Sequence, residues 1–213
     1  MSPDGQSSPV VTIWEEYGSG AEVIGRAVAE RLGLPYHEQA FSSADIEAGD
    51  APRDQAAEAQ LVQSRVSLAQ VFSAMGGAYG GGDGREFVAA QEERRDLIAG
   101  NDATVSGYAE EGGVIVGRNA TVILAERPRT LHVLLIGEAR SRVERAAGLA
   151  GITPEQAEKR RHREDKVRVD ISRSLYGWDP RESRHYDLVL NTGRLPQEAA
   201  VEAIVHAVEQ LSA

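Results

Sequence analysis

The stretch that most narrows the fold is residues 10–26, VVTIWEEYGSGAEVIGR. Residues 10–14 are an apolar, largely β-branched run with the character of a buried strand. Tyr17-Gly18-Ser19-Gly20 is a glycine turn, and residues 21–32 carry apolar side chains at helical spacing. A strand that enters a helix through glycines is how an oxyanion cradle is built. Glycine lets the backbone come close to an anion, and the N–H groups of the first helical turn point at it along the helix dipole. The amides of Gly18, Ser19, Gly20 and Ala21 are therefore expected to form an anion seat. The same residues also suit an ordinary tight turn, where glycine is commonplace.

A complete phosphate loop reads GxxxxGK[ST], its lysine reaching the terminal phosphates and its hydroxyl holding Mg²⁺. Here Gly20 is followed by Ala21, Glu22 and Val23, so lysine and hydroxyl are both missing. Glu15, Glu16 and Glu22 instead surround the turn with carboxylates, where a nucleoside triphosphate would bring more negative charge.

A chain of 213 residues can bury a full α/β core as one domain. It has no cysteine, which excludes disulfides, thiolate metal sites and cysteine nucleophiles. His37, His132, His162, His185 and His206 show no ligand spacing and are expected at the surface or at caps, with no structural metal. The net charge of −10 argues against broad binding to nucleic acid or to an anionic membrane. No apolar run reaches membrane-spanning length. Residues 1–9 read as a loose polar tail rather than a signal peptide, which implies a cytoplasmic chain. Lys159 and Lys166 are the only lysines, so any cationic clamp is chiefly arginine.

Along the chain, the helix at 21–32 should bury Val23, Ile24, Ala27, Val28 and Leu32 and stop at Gly33, with a strand at 34–36. Residues 42–53 read as a loop. Residues 54–75 read as an amphipathic helix, either a mobile substrate lobe or a packed element. Residues 76–84, GGAYGGGDG, read as a connection between helices. Residues 85–111 read as helical with a break at Gly100-Asn101. Residues 114–116 form an apolar run buried on both faces, followed by Gly117-Arg118-Asn119. Arginine at the carboxyl edge of such a sheet suits a phosphate, or a surface ion pair. Strands follow at 131–136 and 187–191, and helices at 138–149 and 196–211, the last with Val201, Ile204, Val205, Val208 and Leu211 inward. Thr153-Pro154-Glu155-Gln156 opens a further helix with a capping box and an early proline. Its middle, KRRHREDKVR at 159–168, is either a solvated charged face or a lid that brings arginines to phosphates on closing. About five strands alternating with helices point to a parallel, doubly wound sheet.

Taken together, the chain resembles the cytidylate kinase-like family of P-loop nucleoside monophosphate kinases from about residue 10 to 208. The family's REYGSGG is matched by Glu15-Glu16-Tyr17-Gly18-Ser19-Gly20-Ala21, and its G-I-P-F-Y-D by Gly33-Leu34-Pro35-Tyr36-His37-Glu38. Its VIVGR is matched by residues 114–118. Its D-K-x-R is matched by Asp165-Lys166-Val167-Arg168, and its Y-D-L-x-x-N-T by Tyr186, Asp187, Leu188, Asn191 and Thr192. The resemblance implies a three-layer α/β fold: a five-stranded parallel sheet within a single domain at 10–213. It also implies a helical NMP-binding insertion at about 38–110 and a lid at about 138–180. Carried over residue by residue, Gly18, Ser19, Gly20 and Ala21 would cradle the phosphates of ATP, and Arg118 would hold the acceptor phosphate. Arg142, Arg145, Lys166 and Arg168 would neutralise the transferred group. Glu16 and Glu38 are the candidate Mg²⁺ ligands.

Three positions depart from the pattern: Glu15 replaces the cradle arginine, Glu22 another arginine, and Thr121 an aspartate. Phosphoryl transfer rests on positioning and electrostatics, and losing one well-placed oxyanion donor costs about 2.7–4 kcal/mol. Three functions stay open. One is an ATP-dependent kinase acting on CMP or dCMP. Another is a pseudokinase that binds a nucleotide, another anion or a protein partner. The third is an interaction protein whose helical insertion supplies a homodimer face.

Overall fold

The computed structural model describes residues 7–49, 71 and 84–211. Five parallel strands, β1 (Val10–Glu15), β2 (Tyr36–His37), β3 (Gly113–Val116), β4 (Thr130–Ile136) and β5 (Leu188–Asn191), lie in the order β2-β3-β1-β4-β5. The helices are α1 (Ala21–Leu32), α2 (Ser43–Gly49), α3 (Gly84–Glu111), α4 (Ala120–Ile123), α5 (Ala139–Ala150), α6 (Pro154–Ile171) and α7 (Gln197–Glu209). A π-helical turn, Ser172–Tyr176, extends α6. The expected helix at 54–75 and glycine stretch at 76–84 lie outside the described residues, apart from buried Val71 and Gly84, where α3 begins.

Strand β1 is central because both of its faces are apolar. Val11 and Ile13 pack with Ile24 and Val28 of α1 and with Val201 and Ile204 of α7. Val10, on the opposite face, packs with Val105 and Ala109 of α3, Ile115 of β3, and Ala120 and Leu124 around α4. A strand covered on both sides reads as a continuous apolar run. Each valine or isoleucine it buries contributes about 1.5–3 kcal/mol. The parallel register carries its carboxyl end and that of β3 to one edge, where Ile13 pairs with Val116. This arrangement is a five-stranded parallel α/β sheet with helices on both faces, as expected. Trp14, Leu134 and Val169 then tie α6 to the sheet.

Several sequence expectations are corrected. Residues 42–53 are not all loop, because Ser43–Gly49 is helical. Ser42 and Asp45 form its reciprocal cap: the Ser42 N–H donates to Asp45 Oδ2 at 2.7 Å and the Asp45 N–H to Ser42 Oγ at 3.2 Å. Their S-x-x-D spacing is the sequence signature of that cap. Helix α3 runs through Gly100-Asn101 without a break. Asn101 Nδ2 is held by Arg118 O and Tyr176 Oη, both at 2.8 Å, so this residue anchors the helix rather than ending it. The second strand is Tyr36–His37 rather than 34–36. Pro35, with no N–H, joins the sheet only through its carbonyl, which accepts from Val114 N at 2.9 Å. Val23 is exposed rather than inward. His132 is buried, because the register sets it opposite Thr12, whose Oγ1 lies 2.7 Å from its Nδ1. Burial lowers its pKa. The turn at Gly33 and the capping box on Thr153 form as expected.

Candidate functional site

The corner between β1 and α1 has the backbone of a phosphate cradle, with Gly18 and Gly20 at φ 83° and 95°. These left-handed values favour glycine. The seat is nonetheless taken. Glu15, the last residue of β1, folds its carboxylate back over the turn, and Oε2 accepts from Gly20 N at 2.9 Å and Ala21 N at 3.0 Å. Gln39 Nε2 approaches the other oxygen, Oε1, at 3.5 Å. Although Glu15 keeps some exposed surface, its carboxyl is enclosed. Withdrawal from water raises its pKa, against the opposing pull of the two amides and of Arg168, and the Glu164 carboxylate adds to the rise. The sequence marks this carboxylate as a repulsive neighbour of an anion; the structure makes it the anion.

The cations expected from the lid are also engaged. Arg142, buried on α5, donates from Nη1 to Tyr17 O at 3.1 Å and to Asp165 Oδ2 at 3.0 Å. Arg145 donates to Gly18 O and to Thr192 O, each at 2.6 Å. Thr192 Oγ1 donates to Ser19 O at 2.8 Å. The carbonyls of Tyr17, Gly18 and Ser19 are thus all bound by neighbouring side chains. On α6, Lys166 pairs with Asp170, Arg160 with Glu47, Arg161 with Glu158 and Asp165, and Arg168 with the fully buried Glu164. A segment that reads as surplus positive charge is largely a ladder of ion pairs. The structure therefore brings Arg142 and Arg145 to the glycine turn, keeps Arg168 near Glu15, and leaves Lys166 on an exposed face.

Beside the corner, beyond the carboxyl ends of β1, β2 and β3, lies a cavity of about 510 Å³. Glu15 and Arg168 stand on its inner side; Arg118, His37, Asn101 and Tyr108 stand on its outer side. Arg118 has φ 58° and Asn119 φ 54°, left-handed values that cost a non-glycine residue about 1–3 kcal/mol each. Asn101 holds the Arg118 carbonyl, and Trp178 Nε1 donates to Asn119 Oδ1 at 3.0 Å. Arg118 Nε donates to Glu38 O at 2.9 Å, and the guanidinium carbon is 5.7 Å from the centre of the Tyr108 ring. His37 stacks on the same tyrosine with centroids 3.7 Å apart, and burial together with Arg118 lowers its pKa. Such a site presents a guanidinium and aromatic surface to an anionic ligand.

The other departures from the family pattern have local explanations. Glu22 points to solvent and pairs with Arg26 at 3.2 Å. Thr121 is buried with its Oγ1 3.3 Å from that of Thr12, extending the hydroxyl–imidazole contact to His132. Glu16 lines a second cleft of about 420 Å³; its Oε2 accepts from Gly137 N at 3.3 Å and lies 3.6 Å from Arg142 Nε. Glu38 borders the larger cavity, so the two candidate Mg²⁺ ligands face different spaces. Among the described residues, no group of three or more His, Cys, Asp or Glu side chains could hold a metal ion. Among the described residues, then, no set of side chains would hold Mg²⁺ by itself, and the Gly20 and Ala21 amides carry the Glu15 carboxylate in place of a donor phosphate.

Comparison with known proteins agrees with the fold. Over 116 residues the chain is 34% identical to a uronate isomerase of Corynebacterium glutamicum, a stretch that is 54% of this chain but 21% of that protein. The chain thus matches only about a fifth of that relative's length. It is 29% identical to a cytidylate kinase of Methanopyrus kandleri, covering 96% of this chain and 95% of the other. A crystal structure of an uncharacterized protein from Eubacterium ventriosum superposes with a TM-score of 0.66 at 17% identity, covering 95% of this chain and 99% of that one, and so shares the fold. Among the described residues no helix is long and apolar enough to cross a membrane. The model of the cytidylate kinase-like family matches residues 10–194, from β1 through the turn after β5, and the chain belongs to that family.

Proposed function

We propose that this chain binds a nucleoside monophosphate, or a similar aromatic anion, in the 510 Å³ cavity and does not transfer a phosphoryl group to it. Family membership and Arg118 at the cavity wall support the binding half. One observation carries the other half: the Glu15 carboxylate rests on the Gly20 and Ala21 amides, where a donor phosphate would need to sit. In this reading Arg118 holds the ligand's phosphate. Gly18, Ser19, Gly20 and Ala21 seat Glu15, Arg142 and Arg145 fasten the turn, and Arg168 balances Glu15 against Glu164. Lys166 takes no part.

The 29% identity to a cytidylate kinase over nearly the whole chain favours a second reading, an active kinase using ATP with Mg²⁺. It requires Glu15 to leave the seat and Mg²⁺ to arrive with the nucleotide. One pair of measurements separates the two: calorimetry with CMP and with ATP, and a coupled assay for ADP formed from ATP and CMP. Binding of CMP without ADP release fits the proposal. Turnover in the coupled assay would establish the kinase instead, and absence of CMP binding would remove both.

A further inference from the structure

From the same geometry, and resting on the reading above, we infer that Glu15 is an exchangeable internal occupant of the oxyanion seat. A free oxyanion such as inorganic phosphate competes with it for the Gly20 and Ala21 amides. The seat exists and is aimed, since two adjacent N–H groups at the start of a 12-residue helix converge on one carboxylate oxygen at 2.9 and 3.0 Å. A carboxylate tethered five residues away reaches them ahead of any solute. Among the described residues, Ser19 Oγ, fully buried in the same turn, has no hydrogen-bond partner, so the turn holds a polar group that the carboxylate does not use.

The surroundings keep Glu15 from being a settled fixture. Glu164 is fully buried, one of its oxygens has no hydrogen-bond partner among the described residues, and it acts on Glu15 as a like charge. The Arg168 guanidinium, paired with Glu164, is the cation that acts on both. Two enclosed carboxylates sharing one guanidinium make an expensive arrangement. Glu15 also borders the cavity, where Arg168 and Gln39 could receive its carboxylate once it leaves the amides. An anion on the seat would then push Glu15 into the cavity and weaken a nucleoside monophosphate bound there. By linkage the reverse holds with the same factor.

The experiment is phosphate binding, followed by ³¹P NMR and calorimetry, to the full chain and to Glu15→Ala, Glu15→Gln and Glu22→Gln. Glu15→Ala vacates the seat. Glu15→Gln keeps an acceptor on the amides but removes its charge. Glu22→Gln removes one negative charge from the same helical turn and vacates nothing, because Glu22 points to solvent. Phosphate affinity is expected to rise at least tenfold in Glu15→Ala, by less in Glu15→Gln, and by less than twofold in Glu22→Gln. Equal affinity in wild type and Glu15→Ala would overturn the inference. So would a gain in Glu22→Gln as large as that in Glu15→Gln, which would show a general charge effect rather than occupancy. Thermal melts identify any variant that fails to fold; Glu15→Gln, which preserves shape and acceptor, then decides the matter. Because this readout needs neither CMP nor turnover, its failure leaves the binding of CMP in the cavity standing and removes only the support that Glu15 gives to the lack of transfer, whereas turnover by wild type would refute the proposed function without touching the phosphate ranking.

Discussion

The glycine corner and the cavity beside it share Glu15, yet they are built in opposite ways. At the corner, amides and carbonyls are bound from within the protein by Glu15, Arg142, Arg145 and Thr192. In the cavity, about 510 Å³ of space remains between Arg118, Tyr108 and the strand ends. The backbone of an anion cradle can therefore persist while its use is lost, because a side chain of the right charge satisfies the same donors. The neighbouring pocket, among the described residues, has no carboxylate folded over its strand ends in the same way, and it is there that the proposed ligand would sit.

The largest expected effect tests the saturated half. Arg142→Ala leaves Asp165 and the Tyr17 carbonyl without their buried cation and should cost about 3–5 kcal/mol of stability, read by denaturant unfolding. A loss below about 1 kcal/mol would mean that something else holds the corner closed. Next comes Arg118→Ala, which should weaken CMP binding about 10- to 100-fold, the loss of one charged hydrogen-bond partner, with a much smaller effect on the unfolding midpoint. Unchanged CMP affinity would place the ligand elsewhere and dissolve the contrast.

A subtler effect concerns pH. Glu15 titrates above the ordinary glutamate value in the folded protein, so between pH 4.5 and its raised pKa the folded state keeps a proton that the unfolded chain has released. Stability contributed by this group therefore falls as pH rises through that window. Glu15→Gln should flatten that part of the stability profile; an identical slope would show that the carboxyl is not enclosed. Smallest is Lys166→Ala. Its ion pair with Asp170 is exposed, so stability should move by no more than about 0.5 kcal/mol and CMP affinity not at all. A measurable loss of affinity would return that lysine to the site.

Much of the framework was legible in the residues. The apolar run at 10–14, the glycines after it and the helical spacing of 21–32 identify the central strand, turn and first helix, because local propensity and burial agree there. The same holds for the capped start of α6 and the inward face of α7. The destination of Glu15 was not legible, because reaching back to amides five and six residues ahead depends on a three-dimensional turn. KRRHREDKVR is a mixed case: the Glu47 partner of Arg160 is remote in sequence, but Glu158, Glu164 and Asp165 stand three or four residues from their arginines on the same helix, a spacing present in the sequence. His132 belongs with Glu15, since only the register of β1 with β4 puts Thr12 beside it. The cap on Ser43–Gly49 differs, because its S-x-x-D signal stands in the sequence.

Gly18 carries a further consequence. A side-chain carbon built there would lie 2.6 Å from the Arg142 carbonyl, and one at Gly20 would lie 2.6 Å from Gln197 Nε2. The outer wall of the turn is thus pressed against the backbone of α5 at Gly18 and against the Gln197 side chain of α7 at Gly20. Exchanging acidic for basic residues would alter the potential of this corner but create no room beside it. A side chain at Gly18 would require α5 itself to shift, because the atom it meets is backbone.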